Sequence, residues 1–190
     1  KNMLNGGLAR GEIGVIVAPT GVGKSHMLVN LGCAALKVGK NVLHYTFELS
    51  EAAVGIRYDS NLCNIPSNDV INNKQKIKQK YEESEFGRLI IKEYPTGSAS
   101  VMTIRNHIEK LEMKGFKPSV IIIDYADIMR SSRQFDSSDS TSTNSSSLLS
   151  DFSSLTISST AFLCPVMMAS AISLAYSFTA LLESSLPGMT

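Results

Sequence analysis

Cysteine is scarce and unpatterned in this 190-residue chain: Cys33, Cys63 and Cys164 are the full set, with no CxxC spacing among them. An odd, scattered set argues against a disulfide framework or a zinc cluster and points to a reducing compartment such as the cytoplasm. His26, His44 and His107 lack metal-ligand spacing and read as core or surface residues. Nucleophile-elbow and Ser-His-Asp arrangements are also missing, which leaves covalent hydrolase chemistry without support. The chain opens without a signal peptide, and its first residue, Lys1, points to a piece of a longer protein. Long apolar runs are rare. Residues 161–182 carry no charge and are long enough to cross a bilayer. Pro165, Ser170, Ser173, Ser177 and Thr179 dilute that stretch, and no basic anchors flank it, so no membrane span is expected.

Positive charge is absent from one end. All 18 Lys and Arg fall in residues 1–133, against 13 acids, so that part carries +5. Residues 134–190 hold four acids, no base and 17 Ser. The modest positive balance of the first part permits a nucleic-acid partner without requiring one. Lys74, Lys76, Lys78 and Lys80 read as the solvated face of a helix or loop. Residues 136–147 are low-complexity and are expected to be irregular. With 43% hydrophobic and 18% charged residues, the whole is an ordinary globular composition.

What is present is an alternation of strand and helix. Strands are expected at 13–17, 41–47, 89–92 and 120–123, with helices at 25–38, 51–62, 68–85 and 101–114. That order predicts a mostly parallel α/β sheet flanked by helices. Gly39 and Gly115 stand just past two helix ends, where left-handed caps are expected. Two parts follow: a nucleotide-binding core over 1–133, and a Ser-rich tail over 134–190 whose apolar stretch 162–169 is placed to supply one central strand.

The strongest motif is Ala18-Pro19-Thr20-Gly21-Val22-Gly23-Lys24-Ser25, between an apolar strand and a helix that continues with His26. Strand, tight turn and helix is the setting of a phosphate-binding P-loop. Gly21 and Gly23 let the backbone turn its N–H groups inward on phosphate oxygens, and the helix adds its positive end. Lys24 would then reach the β- and γ-phosphates of a nucleotide, and the Ser25 hydroxyl would hold Mg²⁺. Ala18 departs from the strict pattern, which begins with Gly. Asp124 ends the apolar run 120–123 at the strand edge where ligands bind in such sheets, where it can hold the water shell of that Mg²⁺; the alternative is a strand-end turn residue. Glu48 ends the strand 41–47 and is the candidate that orients and deprotonates the attacking water; the alternative is a helix-capping role.

With those residues in view, the chain resembles the ATPase domain of DnaB-like replicative helicases, including those of tailed phages. Gly6-Gly7-Leu8 and Gly11-Glu12 precede the P-loop as in that family, whose first P-loop position is often Ala. Phe47-Glu48-Leu49-Ser50, with Arg57 on the following helix, is similar to its catalytic-glutamate motif. Tyr94-Pro95-Thr96-Gly97 resembles its approach to the next helix, and Ile123-Asp124-Tyr125 with Asp127-Ile128-Met129 its extended Walker B element. The resemblance covers about residues 4–133. It implies a RecA-like fold, a homo-hexameric ring, ATP-driven translocation on single-stranded DNA, and residence in a bacterial or phage-infected cell. It also implies that Arg57 touches the nucleotide or a neighbouring subunit. Another RecA-class ATPase, a recombinase or a KaiC-like protein, is disfavoured by the Asp124-Tyr125 pair and the 47–50 string. After Ser131 the match fades. Ala171 stands where the family's sensor Gln is expected, and no Arg is present to serve as a finger. The tail is either a degraded continuation or sequence of other origin, and the third reading is a nucleotide-binding fragment without catalytic activity.

Overall fold

The structure, a computed structural model, describes residues 8, 11–19, 21–125, 129 and the strand 166–170. Five strands form one parallel sheet in the order β1-β5-β4-β2-β3. These are β1 (Ile13–Val17), β2 (Val42–Thr46), β3 (Leu89–Glu93), β4 (Val120–Asp124) and β5 (Val166–Ser170). The helices are α1 (Lys24–Lys37), α2 (Glu51–Cys63), α3 (Lys74–Glu83) and α4 (Val101–Met113). β5 comes from the Ser-rich part of the chain and lies between β1 and β4, with Val166 opposite both Ile13 and Ile121. Residues 136–147 and 162–165 lie outside the described residues.

The sheet is covered on both faces, and the period-2 alternation of β2 shows how. Leu43 and Tyr45 face a core made with Ile104 and Ile108 of α4 and with Ile121 and Ile123 of β4. Val42 turns the other way, to Leu28, Cys33 and Leu36 of α1, Val54 and Tyr58 of α2, and Ile122 of β4. Burial on two sides explains why these strands read as continuous apolar runs. Burial also pushes the Cys33 thiol up to about 11, which keeps it protonated and inert.

Helix ends follow local chemistry. The Ser50 hydroxyl accepts the Ala53 N–H at 3.2 Å and starts α2. Ser100 and Thr103 form a reciprocal capping box at the start of α4. Gly39 (φ 74°) and Gly115 (φ 78°) end α1 and α4 in the left-handed region that the sequence anticipates. One expectation needs correction: the segment 68–85 is not one helix. Pro66 and the run Ser67-Asn68-Asp69 open it as a 3₁₀ turn, Ser67–Asp69, and a second turn, Ile71–Asn73, precedes α3. Asn, Asp and Ser compete with the helical backbone for hydrogen bonds, which breaks the first two turns. The lysines at 74, 76, 78 and 80 are all exposed on α3, while Ile77 between them is buried.

His44 is fully buried in β2, and its Nδ1 lies 2.9 Å from the Tyr58 hydroxyl. Burial, helped by the positive charge of Arg57, pulls the His44 pKa from 6.5 down to about 3. The unfolded chain therefore takes up this proton at pH values where the folded chain does not. Stability is lost as pH falls from 6.5 towards 3, at up to about 1.4 kcal/mol per pH unit for a single proton. Urea unfolding between pH 7 and 5 should show that slope, and His44→Gln should reduce it, leaving the same-signed contribution of His107, whose pKa burial also lowers. Tyr58 in turn lies directly over Gly32 of α1, where an added Cβ would collide with the phenol oxygen. Gly32→Ala should then destabilise the fold by about 1–3 kcal/mol despite Ala's better helix propensity, measurable as a lowered Tm.

Candidate functional site: a cleft at the carboxyl edge of the sheet

The turn after β1 shapes the first wall of the site. Gly21 (φ 82°) and Gly23 (φ 97°) occupy the left-handed region, where a side chain is strained, and Gly23 leads directly into α1. Lys24 folds back over this turn and donates to the Ala18 carbonyl at 2.9 Å and the Pro19 carbonyl at 3.1 Å. The loop is thus closed around its own lysine. Val22 projects outward at 62% exposure, so its side chain takes no part in lining the site. Thr20 lies outside the described residues.

Parallel strands bring the other acids to the same edge. β2 and β4 run side by side with Thr46 opposite Asp124, so Glu48 and Asp124 leave the sheet together. A cleft of about 340 Å³ results, lined by Gly21, Gly23, Lys24, Ser25, Glu48 and Asp124, with His26, Leu49, Arg57 and Tyr125 completing it. His26 and Arg57 also line an adjoining cleft that runs between α1 and α2 past Asn30, Asn61 and Asn64. Sequence reasoning gave Leu49 and Tyr125 no role in the site; the signal for them was adjacency to the two acids. Helix capping falls to Ser50, which leaves the Glu48 side chain out of that role.

Asp124 is 1% exposed, and its Oδ2 has no hydrogen-bond partner among the described residues. Burial raises its pKa; the Ser25 hydroxyl pulls it back down, Glu48 raises it further, and Arg57 and Lys24 oppose that rise. A buried carboxylate oxygen with no hydrogen-bond partner among the described residues, beside a serine hydroxyl, is a hard-oxygen donor set that fits Mg²⁺. Among the described residues no group of three or more His, Cys, Asp or Glu could hold a metal by itself. The pair therefore fits an ion that brings most of its ligands with it, as Mg²⁺ does on a nucleotide.

A parallel sheet covered on both faces, with a glycine turn and lysine after its first strand and two acids at the same edge, defines a RecA-like P-loop α/β domain. The family model for the DnaB-like helicase C terminal domain matches residues 2–176, and the chain belongs to that family. It is 36% identical over 136 residues to the "DnaB-like replicative helicase" of Enterobacteria phage T4, an alignment covering 67% of this chain and 29% of that protein. The chain thus spans under a third of the length of that relative. Among solved structures, one described as an ATPase domain superposes with a TM-score of 0.63 at 16% identity, over 87% of this chain and 58% of that one. A DnaB-like replicative helicase, described with its interactions with primase, gives a TM-score of 0.61 at 15% identity, over 85% and 39%. Both establish the fold.

Proposed function

We propose that the chain is the ATP-binding and hydrolysing motor domain of a replicative DNA helicase. The observation that carries this reading is the meeting of Lys24, Ser25, Glu48 and Asp124 in one cleft, from three different strand ends. The turn amides of 21–23 and the Lys24 ammonium bind the triphosphate, with Nζ exchanging the Ala18 and Pro19 carbonyls for β- and γ-phosphate oxygens. Ser25 and Asp124 would hold Mg²⁺, which neutralises charge on the phosphates when bound. Glu48 orients water and accepts its proton as the water attacks the γ-phosphorus. Arg57, at the rim shared by the two clefts, contacts the nucleotide or a neighbouring subunit.

In this reading the track is single-stranded DNA and the assembly a homo-hexamer, in the cytoplasm of a bacterial or phage-infected cell. Among the described residues no helix is long and apolar enough to cross a membrane. Residues 1–133 form the nucleotide-binding core in this reading, completed by the strand from the tail. A second reading has one observation in its favour. With no Lys or Arg in 134–190, this stretch contains no arginine able to complete a neighbour's site, which suits a nucleotide-binding fragment without turnover. Steady-state ATPase with and without single-stranded DNA separates the two. A motor turns over and is stimulated by DNA; a fragment binds ATP without hydrolysing it.

A further inference from the structure

We propose that Thr46 is the positioning residue for Glu48, closing the turn that presents the carboxylate to the cleft. The inference rests on the hydrolytic role given to Glu48 above. Thr46 is the last residue of β2 and is fully buried, an unusual place for a hydroxyl in a strand otherwise packed between two apolar layers. Its Oγ1 donates to the Leu49 carbonyl at 2.9 Å and accepts the Leu49 N–H at 3.1 Å. One hydroxyl thus satisfies both backbone polar groups of the residue after Glu48, and the chain between must fold into a tight turn.

The other side of the turn is tied to the Mg²⁺-binding strand. The Phe47 N–H donates to the Asp124 carbonyl at 2.8 Å, and the Tyr94 N–H donates to the Thr46 carbonyl at 3.0 Å. The Thr96 hydroxyl reaches the Phe47 carbonyl at 3.4 Å. Glu48 is therefore bracketed: the backbone before it is bonded to Asp124 and the backbone after it to Thr46. A β-branched side chain suits this task because its χ1 is stiff. Valine has the same shape without the hydroxyl and would leave the Leu49 N–H and C=O unmet, so the turn would open. Serine keeps the hydroxyl and loses only the methyl.

The test compares Thr46→Val, Thr46→Ser, Glu48→Gln and the Thr46→Val/Glu48→Gln pair in the 190-residue chain. Single-turnover hydrolysis is followed with protein in excess over labelled ATP, and affinity is measured by titration with a fluorescent ATP analogue. Thr46→Val should slow hydrolysis about tenfold or more with affinity within about twofold, while Thr46→Ser stays within about threefold of the parent rate. The double variant should be no slower than Glu48→Gln alone, because Thr46 acts through Glu48. Parental turnover in Thr46→Val, or full multiplicative slowing in the double variant, overturns the proposal. Parental turnover in Glu48→Gln overturns instead the role of Glu48, a distinct failure. Amide exchange gives a readout independent of turnover and of whether the valine variant folds. The Leu49 amide should be protected in the parent and in Thr46→Ser, and exchange at the rate of an open loop in either would also overturn the proposal.

Discussion

Lys24→Ala is expected to abolish binding of MgATP. Lys24 Nζ is held between two loop carbonyls at the mouth of the cleft, a position from which a compact cation reaches the β- and γ-oxygens. Alanine removes the charge and also the two hydrogen bonds that close the loop, so both the electrostatic partner and the shape of the anion cradle are lost. Titration with a fluorescent ATP analogue should show an affinity weaker by about 10²-fold or more, in line with loss of a preorganised cation. Affinity unchanged from the parent would remove the P-loop assignment.

Glu48→Gln should separate binding from chemistry. The amide keeps the size of the carboxylate and can still hydrogen-bond water, but it cannot accept the proton. ATP affinity should stay within a few-fold, while hydrolysis slows by about 10²-fold or more, as for loss of a general base. Single-turnover measurement at saturating protein checks both quantities. If hydrolysis survives, another group positions the water. The exposed setting of Glu48 matters here, since a carboxylate in contact with solvent retains access to water on the approach to the γ-phosphate.

Most of the sheet was legible because its signals are local. The runs at 13–17, 42–46, 89–93 and 120–124 are apolar, short and bounded by glycine, polar caps or charge, and strand limits read from the sequence agree with the structure to within one residue. Helices α1, α2 and α4 were equally plain, α2 and α4 from the serines that open them and α1 and α4 from the glycines that follow. The segment 68–85 misled because its apolar positions, Val70, Ile77 and Tyr81, keep helical spacing, while the polar residues at its start decide the backbone there. In the cleft, Lys24, Ser25, Glu48 and Asp124 were visible as residues that end strands or open helices. The contributions of Thr46 and His44 were not. Each is a polar residue inside an apolar strand, and its partner, Leu49 or Tyr58, is revealed only once the turn or the neighbouring helix is in place.

The position of β5 bears on how the site comes into being. Among the described residues β1 and β4 share no hydrogen bonds with each other; each meets the other only through β5. The gap between the P-loop strand and the Asp124 strand is therefore two strand spacings, roughly 9.6 Å, set by a segment that begins more than forty residues later. A nascent chain that has emerged only as far as Asp124 carries both halves of the cleft, with α1 packed against β2 and β4 but without the strand that fills the gap between β1 and β4. The separation of the two halves of the cleft thus depends on a strand distant in sequence, and pairings of that kind form more slowly than local ones.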